Sequence, residues 1–155
     1  MQILNLLEKR KDLAFICIGD STRGTNGKEE LQAAVAQKGL SERVFFEKRK
    51  KTPYYALEFA DIFAFTSYAE GFGLALYEAG LFGASAVCSN IPAINGILSQ
   101  NEVSFFELDD TASLNAAVDE ALSQKAQKMS NFKKLVEERY SEQRMFEAYR
   151  QIYLK

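Results

Sequence analysis

The chain has 155 residues, 47% of them apolar and 26% charged, with a formal net charge of −2. That balance offers no global positive field to nucleic acid or to an anionic membrane, and the length suits one domain with a substantial core. Histidine is absent, which removes the commonest general base and metal ligand, and the two cysteines, Cys17 and Cys88, match neither a disulfide framework nor a zinc site.

In chain order, residues 1–9, with Ile3, Leu4, Leu6 and Leu7, read as an amphipathic helix that leads straight into a strand over 13–18. Charges from Glu8 to Asp12 interrupt this apolar stretch, so it is no signal peptide, and no run approaches the ~18–20 apolar residues of a membrane span. A doubly wound domain opens with a strand, so the architecture predicts one ahead of this helix, a plain N-terminal helix being the alternative. A loop from Gly19 to Gly27 follows, then a helix over 29–38 and a strand over 44–46. Lys48-Arg-Lys-Lys51 reads as a solvated loop, with a phosphate or membrane-surface contact as the alternative. Thr52 is placed to cap a helix over 53–60 that starts on Pro53.

A strand over 62–66, a helix over 74–82 and strands over 86–89 and 103–106 come next. Several strands are apolar at consecutive positions, which fits strands covered on both faces, and Cys17 and Cys88 read as small buried groups within them. Asp110 is placed to cap a helix over 111–123, a simpler role for Asp109-Asp110 than metal binding. Helices over 127–139 and 142–153, the second capped by Ser141, close the chain. Phe146, Tyr149 and Tyr153 have helical spacing and read as packing against the domain rather than as a cofactor box, with exposure of part of this apolar face as the alternative. Strand–helix alternation of this kind predicts a Rossmann-like three-layer α/β/α fold with a parallel sheet.

The chemistry lies in Phe63-Ala-Phe-Thr-Ser-Tyr-Ala-Glu70-Gly-Phe-Gly-Leu-Ala-Leu-Tyr-Glu78, an apolar strand running through a glycine turn into a helix near Leu74. In an open parallel sheet, ligands bind beyond the carboxyl ends of strands, where this turn must lie. Gly71 and Gly73 admit a ligand close to the backbone, and free N–H groups at the helix start favour an anion such as a diphosphate. Glu78 follows Glu70 by about two helical turns and so stands on the side of the turn. Taken singly, the two glutamates are equally well read as solvated carboxylates. Beside an anion pocket, however, carboxylates suit hydroxyl groups, whose protons they accept strongly. A ligand with both a diphosphate and hydroxyls is a nucleotide sugar.

The block Glu70-Gly-Phe-Gly-Leu-Ala-Leu-Tyr-Glu78 resembles the Glu-x7-Glu signature of retaining GT-B glycosyltransferases of the group 1 type, a set that includes sucrose synthase-like and bacterial cell-surface polysaccharide enzymes. Ile16-Cys-Ile-Gly19-Asp20, Arg43-Val-Phe-Phe46, Tyr55–Phe63, Ser89-Asn-Ile-Pro92 and Phe106–Asp110 are similar to further landmarks in the same order. The resemblance spans nearly the whole chain and implies one domain over residues 1–155, the C-terminal, donor-binding half, without its first strand or the N-terminal acceptor domain. It implies that Glu70 binds the transferred sugar and acts in catalysis, assisted by amides of Gly71, Phe72 and Gly73. Leu74 would offer its amide to the diphosphate, Glu78 would hold the ribose, and Gly19 would line the pocket. No metal and no cofactor are implied; helix amides and basic side chains neutralise the diphosphate. The expected location is cytoplasmic, with a peripheral contact at the inner face of the membrane made through the other half. Glu47, Ser85 and Gly96 depart from the pattern, standing where glycine, proline and glutamate are common. The alternatives are a non-catalytic domain that associates with a separate acceptor chain, and a sugar-nucleotide epimerase of the same architecture.

Overall fold

The computed structural model describes residues 2–19 and 27–154, so most of the expected loop between Gly19 and Gly27 lies outside the described residues. In order, the elements are α1 (Gln2–Lys9), β1 (Phe15–Ile18), α2 (Gly27–Gln37), β2 (Val44–Glu47), α3 (Tyr55–Phe59), β3 (Phe63–Phe65) and α4 (Leu74–Leu81). Then come β4 (Ala86–Ser89), α5 (Pro92–Asn95), β5 (Ser104–Phe106), α6 (Thr111–Ser123), α7 (Lys125–Tyr140) and α8 (Glu142–Tyr153). The fold is Rossmann-like α/β, with parallel strands and flanking helices. Its strands, however, form two sheets rather than one: β1-β2, with Phe15 opposite Val44, and β3-β4-β5, with Phe63 opposite Ala86 and Val87 opposite Ser104. Among the described residues, β1 and β3 each pair on one side only.

Alternation along β4 explains why all four of its residues are buried. Ala86 and Cys88 enter a cluster with Phe65, Leu76, Tyr77 and Ile94, and with Phe132 and Val136 of α7. Val87 faces the opposite way, into a cluster with Phe106, Leu6 of α1 and Leu114, Ala117, Val118 and Ala121 of α6. A third cluster joins Leu4 and Leu7 of α1 to Val35, Leu40 and Val44 under β1-β2. Ile3 and Leu13 pack against both the second and the third, so α1 and the chain leaving it bind the two sheets together.

Polar contacts fix the direction of α1. At its start, the Gln2 amide donates to the carbonyls of Glu107 (3.0 Å) and Asp110 (2.8 Å) and accepts from the Asp109 N–H (3.1 Å), in the loop after β5. Beyond its end, Arg10 donates to Asp119 (2.6 Å) and Asn115 (3.0 Å) on α6, and it pairs with Asp12. The hydrogen bond from Arg10 holds the Asp12 carboxyl down at about 2. Two anchors at opposite ends make α1 run parallel to α6. Buried Lys128 of α7 donates to the carbonyls of Gln100 and Val103 and pairs with Glu120, which fastens the approach to β5.

Four local expectations need correction. The helix over 53–60 is shorter: α3 begins at Tyr55, Tyr54 stands at its N-cap without a side-chain cap bond, and Pro53 and Thr52 precede it. Helical dihedrals at Tyr54 and the bond from Ala56 N–H to the Pro53 carbonyl (3.1 Å) make the lead-in a turn, which displaces the Thr52 cap. Strands β1 and β2 are covered on one face only, because Ile16 and Phe45 stand opposite one another and are 41% and 52% exposed. Helix α8 does not bury its aromatic residues: Phe146, Tyr149 and Tyr153 are exposed, since α7 is the element it meets, and Tyr149 and Tyr153 stack on each other. Cys88 is buried as expected, whereas Cys17 is only partly so. The single-turn helix α5, with Pro92 in its first turn, had no counterpart in the sequence reading. The caps on α6 and α8 form as expected, Asp110 accepting from Ala112 and Ser113 N–H and Ser141 from Arg144 N–H.

Helix α4 lies directly on α7, and a Cβ on Gly80 would come within 2.8 Å of the Phe132 ring, itself fully buried. Gly80→Ala gains about 1 kcal/mol of helix propensity and meets an overpacking cost of about 1–3 kcal/mol. The expected outcome is a net loss of stability, read as a lower urea midpoint with an unchanged slope.

Candidate functional site

At the carboxyl end of β3 the chain turns through residues 66–73 and enters α4. The turn closes on Gly73, the N-cap of α4, which lies in the left-handed region at φ 81° and is buried. A Cβ there would sit 3.1 Å from both Ile94 Cδ1 and Phe65 Cζ, so glycine is required by conformation and by space. Gly71, with open space around it, is under no such demand. Side chains do not cap α4, and its first turn carries no acid. Among the described residues, the N–H groups of Gly71, Phe72 and Gly73 have no protein acceptor, and Leu74 opens the helix with an orphan N–H of its own. The helix start therefore holds a cluster of amide donors without a protein acceptor.

Phe72 lays its ring on Tyr77 (centroids 4.4 Å apart, 16° between planes) and meets Tyr140 edge-on at 5.3 Å. Burial pushes the Tyr77 phenol up to about 12. The aromatic trio ties the turn to the end of α7. Polar bonds hold its other flank. Ser67 Oγ donates to Glu70 Oε1 (2.6 Å), and fully buried Ser89 Oγ, at the end of β4, donates to the Ser67 carbonyl (2.6 Å). Tyr68 donates to Asp109 (2.6 Å) in the loop after β5, which raises the phenol's pKa through that bond. Asn95 donates to Asn90, and Asn90 donates to Glu107 (2.7 Å each), along the same edge.

Glu70 is half-buried on the turn, and Glu78 is exposed in the second turn of α4. The nearby Glu78 carboxylate raises the pKa of the Tyr54 phenol, while the Tyr54 ring stacks on Phe82 at 4.4 Å. The structure thus gathers Glu70, Gly71, Phe72, Gly73, Leu74 and Glu78 on one strand–turn–helix unit. Gly19 lies apart, at the carboxyl end of β1 in the other sheet, in the left-handed region (φ 146°) with its N–H on the Glu47 carbonyl (3.1 Å). Among the described residues, no hydrogen bond or ring contact joins it to that unit. Nor do those residues include a cluster of three His, Cys, Asp or Glu side chains able to hold a metal.

Sequence reasoning missed Ser67, Ser89 and Tyr54. Ser67 was within reach, because Ser-x-x-Glu is the spacing at which a hydroxyl and a carboxylate meet across a turn. Ser89 and Tyr54 arrive from other elements, and no local pattern marks them.

A parallel α/β domain whose amide-rich turn opens a helix at the carboxyl edge of the sheet is a ligand-binding Rossmann-like domain. This chain belongs to the family described as glycosyl transferases group 1, whose model matches residues 2–139. It is 24% identical over 151 residues to an O-antigen biosynthesis glycosyltransferase, WclY, of Escherichia coli, covering 97% of this chain and 41% of that protein. It spans less than half the length of the curated relatives it matches. Anabaena Alr3699/HepE, solved in complex with UDP, superposes with a TM-score of 0.86 at 20% identity, covering 97% of this chain and 44% of that one. The C-terminal domain of a glycosyl transferase group 1 family protein, LpcC, from Francisella tularensis superposes at 0.73 with 24% identity, covering 91% and 76%. The fold is therefore that of GT-B C-terminal domains.

Gly73 and Gly71 give opposite expectations. Gly73→Ala forces a left-handed alanine, at about 1–2 kcal/mol, and crowds Phe65 and Ile94 besides. Gly71→Ala stays within about 0.5 kcal/mol of the parent. Thermal unfolding of the two variants checks the contrast.

Proposed function

We propose that this chain is the donor-binding domain of a retaining glycosyltransferase. The reaction moves a sugar from a nucleoside diphosphate sugar to a hydroxyl acceptor, in glycan or cell-surface polysaccharide synthesis. The amide-rich turn opening α4, with a glutamate on the turn and another inside the helix, is the observation that carries this reading. In this reading, the Leu74 N–H at the helix start receives the diphosphate and stabilises it as it departs, while the amides of Gly71, Phe72 and Gly73 assist Glu70 at the transferred sugar. Glu70 accepts hydrogen bonds from the transferred sugar and helps orient it for substitution through a transition state of oxocarbenium character; Glu78 holds the ribose hydroxyls. Gly19 lines the far wall of the crevice. Neutralisation falls to amides and basic side chains, without metal or cofactor. The acceptor and its catalytic base belong to an N-terminal domain, so this domain alone is not expected to turn over. The UDP bound in the Anabaena neighbour and the O-antigen role named for the Escherichia coli relative agree with the proposal. The reading places the enzyme in the cytoplasm, with any membrane contact made through the acceptor half; no helix among the described residues is long and apolar enough to cross a membrane.

The domain reading includes a parallel strand between β1 and β3, running into α1 in the intact protein. Three observations support it: the two sheets are separate, α1 packs against clusters belonging to both, and α1 starts beside the loop that follows β5. A helix beginning at the carboxyl edge and parallel to α6 stands to such a strand as α6 stands to β5. Hydrogen exchange compares this chain with one extended through the preceding part of the parent protein. Slower exchange at the amides of β1 and β3 is expected in the longer chain; unchanged exchange at both removes the strand.

Isothermal titration with UDP, GDP and ADP tests the donor site. One of them binds, and Glu78→Gln weakens that binding about tenfold or more, as loss of a charged hydrogen-bond partner implies. No heat from any of the three with the parent enzyme overturns the reading.

A further inference from the structure

We propose that Ser67 is a positioning residue for the Glu70 carboxylate, held in register by Ser89, and that these hydroxyls set the affinity of the site for the donor's sugar rather than for its nucleoside diphosphate. The inference rests on the donor-site reading above and adds residues to it.

The geometry is a two-step brace. β4 is buried along its whole length, and Ser89 at its end is fully buried, so the Ser89 hydroxyl is a rigid donor. It holds the Ser67 carbonyl at 2.6 Å and thereby fixes where the chain leaves β3. From that fixed point the Ser67 hydroxyl reaches Glu70 Oε1, again at 2.6 Å. Tyr68, between them in sequence, bonds to Asp109, so neighbouring residues of the turn are anchored to β4 and to the loop after β5. A carboxylate held at one oxygen has its acceptor directions set before a ligand arrives. A ligand then loses less conformational freedom on binding. The amides of Gly71 to Leu74 are placed differently, by the left-handed Gly73 and the packing of Phe65 and Ile94 beneath it. Separate supports for the carboxylate and the amides mean that loosening the first leaves the second in place.

Equilibrium binding of matched pairs provides the test: UDP with UDP-glucose, GDP with GDP-mannose, and ADP with ADP-glucose, using the pair that the chain binds. The quantity read is the ratio of the two dissociation constants. Ser67→Ala is expected to weaken the sugar nucleotide about tenfold relative to its nucleoside diphosphate, the size of one charge-assisted hydrogen bond. Ser89→Ala shifts the ratio in the same direction, and Ser67→Thr, which keeps the hydroxyl, restores it. In a Glu70→Gln background, Ser67→Ala adds nothing further. Ser85→Ala is the structural control: its Oγ donates to the Ala121 carbonyl (3.1 Å) at the opposite edge of the sheet. It lowers stability and leaves the ratio alone. Equal weakening of both ligands by Ser67→Ala, or of neither, overturns the positioning role. If Glu70→Gln moves the ratio and Ser67→Ala does not, only the brace is wrong. If neither moves it, Glu70 does not meet the sugar, and if no pair binds, the donor-site reading falls as well.

Discussion

The left-handed backbone at Gly73 is the constraint on which the rest of the site depends. An alanine at that position would carry both a dihedral penalty and a Cβ pressed against Phe65 and Ile94. With glycine there, the chain reverses over the core within a few residues of β3 and enters α4 with its first amides unspent. The same core residues that fill the space under Gly73 belong to the cluster that fastens α4 to α7 through Phe132. Site geometry and fold stability are therefore coupled at this turn. Glu70 and Glu78 stand outside the core, and Glu70 accepts from the Ser67 hydroxyl.

Division into two sheets sets a second condition. α1 contributes Leu6 to one apolar cluster and Leu4 and Leu7 to another, successive residues of one short helix serving opposite sides of a seam. The polar clamps of Gln2 and Arg10 hold that helix parallel to α6. Exposed ion pairs contribute little individually. Here their geometric effect matters more, because they fix the direction of a helix whose apolar residues already commit it to the seam. Gly19 and the Glu70 turn lie at the carboxyl ends of strands in different sheets, so their separation depends on how firmly α1 holds those sheets together.

Much of this was legible in the sequence. The β-branched and aromatic runs placed all five strands, and Asp110 and Ser141 marked the starts of α6 and α8 because a cap is a local event. Glu70, Gly73 and Glu78 were legible for the same reason: they lie on one continuous strand–turn–helix unit. What failed to show was set by distant contacts. Thr52-Pro53 has the local chemistry of a helix start, yet Tyr54 takes helical dihedrals, stacks on Phe82 and moves the start to Tyr55. Phe146, Tyr149 and Tyr153 have the period of a buried stripe, and periodicity states only that one face is apolar. It does not state that a neighbour covers it. Consecutive apolar residues in β1 and β2 misled in the same way, since a covered face and an exposed one have identical sequences.

The brace around Glu70 follows from this division between local and distant contacts. A turn that must meet a ligand cannot be packed in apolar contacts on its outer side, so its order has to come from directional bonds to rigid neighbours. Buried strand ends are the stiffest donors available, and Ser89 is such a donor. Ser67 relays that stiffness to a carboxylate that would otherwise be free to rotate. A hydroxyl suits both positions: it is small enough to be buried at the end of β4 and carries a proton for the carbonyl or carboxylate beside it. Alanine would pack as well at position 89 but would leave the Ser67 carbonyl without its bond, and the turn would then be set by Gly73 and the Phe72 ring stack at one end and Tyr68 in the middle. The amides would still converge, but the carboxylate would have no fixed direction relative to them.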